Sequence, residues 1–164
     1  MLSMMYPHRM AQNRPARIGF LLSQLGAHAA EVFAQNTRDL GVSPSEAGVV
    51  RIIARNPGMS QRLLADRLGA VQSRVVALVD RLEQAGYVTR TRGTTDRRTQ
   101  LLDLTDSGRE LLASLRFAAE GQEAALTAGL SDEQRTQLHD LLATMSMLQG
   151  LDTDVHRGYQ AMKP

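Results

Sequence analysis

The chain has 164 residues, 43% of them hydrophobic, which is enough for one domain with a substantial core. It contains no cysteine, and this excludes disulfides, cysteine zinc sites, catalytic thiols and thiol-based redox sensing. No run of about 18 apolar residues occurs and the N-terminus lacks a signal-peptide pattern. A cytoplasmic protein with no membrane partner is therefore expected.

The net charge of +2 hides an uneven distribution along the chain. Residues 51–98 contain ten arginines against four acidic residues, a net charge of +6, whereas residues 99–164 carry a net charge of −5. A charge excess alone is equally compatible with a solvated basic face. It becomes a candidate nucleic-acid surface if the fold of the same segment suits DNA, because phosphate contacts need positive charge.

The N-terminal third predicts a tail and two helices. Residues 1–13 show no hydrophobic period and are expected to be flexible. An apolar stripe then predicts a long helix from about Pro15 to Asp39, closed by Gly41. The stretch Ser43-Pro44-Ser45-Glu46 predicts the start of the next helix, with a serine N-cap, proline at the first helical position and a capping-box glutamate.

Two further helices are predicted after the turn Asn56-Pro57-Gly58. Ser60 is the expected N-cap of a short helix that ends at Gly69. Its apolar stripe is expected to consist of Leu63, Leu64 and Leu68. The longer helix that follows is expected to bury Val75, Leu78, Val79 and Leu82. Its exposed face is predicted to carry Gln72, Ser73, Arg74, Ala77 and Arg81.

After Gly86 the hydrophobic period changes to two, which predicts strands at residues 87–92 and 100–104. The connection between them holds Asp96, Arg97 and Arg98 and would form a basic hairpin tip. Helix, tight turn, helix and hairpin together make a winged helix-turn-helix, whose second helix suits a DNA major groove.

Two amphipathic helices are predicted behind the hairpin, over about residues 106–128 and 131–150, before a tail at 151–164. Thr105 is the expected N-cap of the first, and Ser131 begins a capping box that starts the second. The expected fold is mainly α with a small β-hairpin wing. In this single domain, residues 14–150, a winged helix-turn-helix at 43–105 lies between dimerisation helices at 14–40 and 106–150. The surplus apolar surface of these helices favours a homodimer over a monomer whose terminal helices fold back on the core.

The sequence resembles the MarR (multiple-antibiotic-resistance regulator) family of bacterial and archaeal transcription regulators. The order and spacing of short motifs agree with the family over residues 60–112. These motifs are Leu64-Ala65-Asp66-Arg67-Leu68-Gly69, Leu78-Val79-Asp80-Arg81-Leu82-Glu83, Gly86-Tyr87-Val88, Asp96-Arg97-Arg98 and Leu104-Thr105-Asp106-Ser107-Gly108-Arg109. The resemblance implies a homodimer formed by the first, fifth and sixth helices, bound to double-stranded DNA at a pseudo-palindromic operator and commonly repressing transcription.

The resemblance also implies which residues contact DNA. Gln72, Ser73, Arg74 and Ala77 would face the bases, where glutamine suits adenine and arginine suits guanine. In the wing, Asp96 would orient Arg98 toward a minor groove, with Arg97 beside them; the alternative is that the pair only holds the hairpin tip together. Weaker candidates for phosphate contacts are Ser60, Arg62, Arg81, Arg90 and Arg92. Val71 departs from the family, which often has a serine or threonine cap there.

No residue pattern indicates catalysis, a metal site or a cofactor, since the four histidines lack ligand spacing. Many MarR relatives bind small molecules between the dimer helices and the winged domain. By that resemblance, an effector pocket would be lined by Phe20, His28, Arg51 and Phe117. The alternative function is a winged-helix protein-interaction module or a nonspecific architectural DNA-binding module.

Overall fold

A computed structural model describes residues 16–93, 99–152 and 155–156. Within them the chain forms six α-helices and a small antiparallel sheet. The helices are α1 Ile18–Asp39, α2 Pro44–Arg55, α3 Gln61–Leu68, α4 Gln72–Gln84, α5 Asp106–Leu126 and α6 Asp132–Leu148. The strands are β1 Met59–Ser60, β2 Val88–Arg92 and β3 Gln100–Leu104. The predicted architecture, mainly helical with a small hairpin, is confirmed.

The sheet has the order β1–β3–β2, with Met59 opposite Leu102 and Val88 opposite Leu104. The two hairpin strands were predicted, but β1 was missed because two residues are too few to show a period. β1 ties the turn before α3 to the hairpin. The Gly58 N–H strengthens that tie, since it donates to the Asp103 carboxylate at 2.9 Å.

Helices α2, α3 and α4 pack with the sheet around one core. Its fully buried side chains are Val49, Val50, Ile53, Leu64, Leu68, Val75, Val79, Leu82, Val88 and Leu102. Leu63, expected in this core, is instead 48% exposed, because α3 has only eight residues and turns Leu64, Ala65 and Leu68 inward. Val155 is also buried in the core, which no pattern in the sequence indicated.

Side-chain caps fix where four of the helices begin. The hydroxyl oxygens of these caps accept hydrogen bonds from backbone N–H groups three residues ahead, as predicted for Ser43, Ser60, Thr105 and Ser131. Helix α1 has no such cap and begins at Ile18, three residues later than predicted. Helix α5 ends at Leu126, two residues earlier than predicted.

The start of α5 lies directly against the base of the wing. Thr105 donates through its hydroxyl to the Gly86 carbonyl at 2.6 Å and through its N–H to the Tyr87 carbonyl at 3.1 Å. Gly108 lies so close to the same strand that a Cβ there would be 2.0 Å from the Tyr87 carbonyl oxygen. The base of the wing and α5 are therefore joined by the two hydrogen bonds of Thr105 and by a close backbone contact at Gly108 that leaves no room for a Cβ.

Helices α1, α5 and α6 extend beyond the winged core. Helix α5 packs against α1, and Gln122 bridges the two by donating to the Ala29 carbonyl at 2.8 Å. Helix α6 buries no residue at all within the described chain. The large exposed apolar side chains of these three helices include Ile18, Phe20, Leu21, Leu25, Phe117, Leu138, Leu141, Leu142, Met145, Met147 and Leu148. None of the helices in the described ranges has the length and apolarity that a membrane span requires.

Candidate nucleic-acid interface

Helix α4 separates its buried face from its polar face as its sequence predicts. Val75, Leu78, Val79 and Leu82 are buried against the core. The opposite face exposes Gln72, Ser73 and Ala77 to solvent. This face is held in place from behind by packing, so its polar side chains are presented on a rigid support.

Val71 occupies the N-cap position of α4, so the helix begins at Gln72 although the cap residue is a valine. Its backbone is extended, and its side chain makes no capping bond, as expected for valine. The Arg74 N–H instead reaches back to the Val71 carbonyl at 3.1 Å, closing a tight first turn. The first N–H groups of α4 are thus left without a side-chain acceptor from the cap residue.

Arg74 differs from its neighbours and from the sequence expectation of a fully exposed side chain. It is half-buried, and its Nε is buried without a hydrogen-bond partner in the described structure. The terminal nitrogens of Arg74 make no hydrogen bond with a described residue, and the guanidinium keeps its charge, so these nitrogens, rather than the buried Nε, can donate to an external acceptor. Arg74 therefore combines the right position on α4 with unused hydrogen-bonding capacity.

The four arginines among the weaker phosphate-contact candidates fall into two groups. Arg62 and Arg92 are exposed and have no hydrogen bond or ion pair with any described residue. Arg81 and Arg90 are ion-paired with acidic side chains of the domain. The expectation for Arg90 does not fit its geometry, because each of its three nitrogens donates to a side chain of the protein. Ser60 uses its hydroxyl oxygen to cap α3.

Arg81 connects the end of α4 to the start of α2. Its Nε donates to Glu46 at 2.6 Å, and the other oxygen of Glu46 accepts from the N–H and hydroxyl of Ser43. Burial would raise the pKa of Glu46, but the hydrogen bond from Arg81 and those from Ser43 outweigh it and hold that pKa below the ordinary value of 4.5. One carboxylate thus caps α2 and braces α4.

Because folding lowers the pKa of Glu46, its carboxylate stabilises the fold at pH values above the pKa in the unfolded chain. This stabilisation is lost as the pH falls through the pKa in the folded chain. Glu46→Gln is expected to lower the free energy of unfolding at neutral pH by about 1–3 kcal/mol. Below pH 4.5 the difference in free energy of unfolding between the variant and the wild type should become smaller. Urea unfolding across pH measures it, with the exposed Glu110→Gln as control; a gap independent of pH would contradict this role.

The wing tip residues Asp96, Arg97 and Arg98 lie outside the described residues. The hairpin on either side is closed by a bond from the Gly93 N–H to the Thr99 carbonyl at 2.9 Å. Their contacts with DNA remain predictions.

The four residues expected to line an effector pocket are not brought together. A shallow groove of about 590 Å³ lies between α1 and α5, and of the four only Phe117 lines it. Phe20 and His28 are exposed on α1, and Arg51 is exposed on α2. The lining of the groove consists of Asn36, Asp39, Leu40, Ala113, Ser114, Phe117 and Ala118. No cluster of three metal-ligating side chains occurs among the residues described.

Comparison with known proteins agrees with this geometry. The sequence profile of the MarR family matches residues 40–99, the segment that holds α2 to the wing. The chain is 36% identical over 126 residues to a Thauera aromatica protein described as a candidate transcriptional regulatory protein for the hcr operon, and the match covers 76% of each chain.

Two solved structures are informative. The transcriptional repressor CouR, bound to a 23-mer DNA duplex, has a TM-score of 0.68 and 32% identity, covering 79% of this chain and 92% of that one. The apo form of wild-type MarR from E. coli has a TM-score of 0.71 at 19% identity, covering 81% and 98%, and so supports the fold alone. By its sequence identity to relatives that it matches over most of their length, and by its winged architecture, the chain belongs to the MarR family of transcription regulators.

Proposed function

We propose that this protein is a homodimeric transcription repressor that binds a pseudo-palindromic DNA operator, and that it is not an enzyme. The observation that carries the proposal is the polar face of α4, where Gln72, Ser73 and Ala77 are exposed and Arg74 has a buried Nε without a hydrogen-bond partner among the described residues. This face belongs to the segment with a net charge of +6. Its residues are those that read base edges in a major groove, while the positive charge around them suits phosphates.

The exposed apolar surfaces of α1, α5 and α6 are the argument for a homodimer. They lie outside the winged core. When two copies bury these surfaces against each other, the exposed face of α4 in each copy therefore stays accessible to DNA. Two recognition helices then occupy successive major grooves, with half-sites roughly 34 Å or one helical turn apart. A repressor of this kind works in the cytoplasm of a bacterium, where it blocks transcription by occupying the operator.

We further propose that a small molecule releases the repressor, without any bound cofactor. The groove lies between α1, a proposed dimerisation helix, and α5, which begins at the base of the wing. A ligand bound there would contact both helices and so favour one dimer geometry. The described lining contains Asp39 and no basic residue, and therefore favours a neutral or cationic ligand over an aromatic acid.

Arg74→Ala and Arg98→Ala are each expected to weaken operator binding by about 1–3 kcal/mol while leaving the dimer intact. The measurement is a gel shift of DNA from upstream of the gene, over a salt series, with Arg135→Ala as the control. Arg135 is exposed on α6, and among the described residues its one ion-pair partner is Asp132 in the same helix. Its loss should leave affinity nearly unchanged.

The same experiment separates the rival functions. A specific fragment bound with a steep salt dependence supports the repressor. Equal, weak binding to every fragment would favour an architectural protein, and no binding at low salt would favour a protein-interaction module.

A further inference from the structure

Of the two basic side chains described on the wing, Arg90 is the more enclosed. It lies in the middle of β2, and its side chain is only 17% exposed. Arg92, two residues along the same strand and therefore on the same face, is exposed and has no partner in the described chain. The two arginines have the same chemistry but opposite surroundings, so their roles differ.

The guanidinium of Arg90 connects three secondary-structure elements. Its terminal nitrogens donate to the carboxylates of Asp80 and Glu83 on α4. Its Nε donates to the side-chain oxygen of Gln61 on α3, at 3.2 Å. A planar group bound at three corners resists rotation and sliding. The wing is thereby tied by one side chain to the helix that carries the proposed base-reading residues.

The same contacts set the charge of the second half of α4. Asp80 and Glu83 are one turn apart, and Arg90 is the only cation that either pairs with among the described residues. Without it, two neighbouring carboxylates would repel each other and the phosphates of a bound duplex.

We propose that Arg90 is a positioning residue for DNA recognition and makes no phosphate contact itself. It locks the wing to α4, so that the wing and the recognition helix meet the operator at a fixed spacing. This inference rests on the proposed function, because the spacing matters only if both elements contact one duplex. It assigns to Arg90 a role in choosing the operator rather than in general attraction to DNA.

The proposal predicts different behaviour for Arg90 and Arg92. Arg92→Gln should reduce the slope of log affinity against log salt by about 1, because an exposed phosphate contact is lost. Arg90→Gln should weaken operator binding by about tenfold or more and lower the ratio of operator to nonspecific affinity, whereas Arg92→Gln should leave that ratio nearly unchanged. An Arg90→Gln variant that weakens operator and nonspecific binding equally would overturn the proposal.

A second variant keeps Arg90 and removes its partners. Asp80→Asn with Glu83→Gln deletes two negative charges from α4, so charge alone predicts tighter binding to every DNA. The positioning role predicts that the ratio of operator to nonspecific affinity falls about tenfold or more, because the bonds that fix the wing to α4 through Arg90 are lost. This double variant also replaces Arg90→Gln if that variant fails to fold, and an unchanged ratio overturns the proposal.

Footprinting on the intact dimer identifies the element that is lost. Both Arg90→Gln and the double variant should lose hydroxyl-radical protection in the flanking minor grooves while retaining protection of guanine N7 in the major grooves. Variants that keep both footprints contradict the positioning role but leave the proposed function standing. A wild-type chain with no operator footprint overturns the proposed function and this inference with it.

Discussion

Replacing both Leu141 and Leu148 on α6 with glutamate is expected to convert the dimer into a monomer. These side chains are 65% and 74% exposed in the single chain, on a helix that buries none of its own residues. Covering them in a dimer removes apolar surface from water, at roughly 25 cal/mol per Å². Glutamate at the same places must instead be buried unpaired or keep the helices apart.

The cost should be about 4 kcal/mol or more, which raises the dimer dissociation constant about a thousandfold. Sedimentation equilibrium measures the assembly state, and a gel shift measures the accompanying loss of operator binding. Gln137→Glu is the matched control, since it adds a charge to an exposed polar position of the same helix. If the double glutamate variant remains dimeric, α6 does not contribute to the interface.

Gly108→Ala is expected to lower the free energy of unfolding by about 3 kcal/mol or more. The added Cβ would lie 2.0 Å from the carbonyl oxygen of Tyr87, well inside contact distance. That oxygen cannot simply withdraw, because it accepts the N–H of Thr105 at 3.1 Å. The variant must therefore displace the start of α5 from the base of the wing.

Gly121→Ala provides the control in the same helix. A Cβ at Gly121 meets nothing within 4 Å, so alanine should change stability only by its helix propensity, a gain of up to about 1 kcal/mol. Urea unfolding of both variants measures the difference. Equal effects at the two glycines would show that the contact between α5 and the wing does not constrain the fold.

The sequence was sufficient for most of the fold because the signals for helices and hairpins are local. Ser43, Ser60, Thr105 and Ser131 cap the helices they were predicted to cap, since a cap needs only a hydroxyl and the N–H groups three residues ahead. Strand β3 occupies residues 100–104 as predicted from the alternation of its side chains. The exposed face of α4 follows from the same periodicity.

The candidate site was only partly predictable, because the helical period is a local signal whereas the surroundings of Arg74 are not. Gln72, Ser73 and Ala77 are exposed because the helical period turns them away from the core. The burial of the Arg74 Nε is not periodic; it depends on what surrounds the first turn of α4.

Only the tertiary structure decided which arginines have partners. As sequence, Arg90 and Arg92 are two alternating basic residues in one strand, and nothing local distinguishes them. Their difference comes from Asp80, Glu83 and Gln61, which lie 7 to 29 positions away in the chain and meet Arg90 only after the wing folds onto α3 and α4. A hydrophobic period records which face is buried, but an ion pair depends on where distant segments come together.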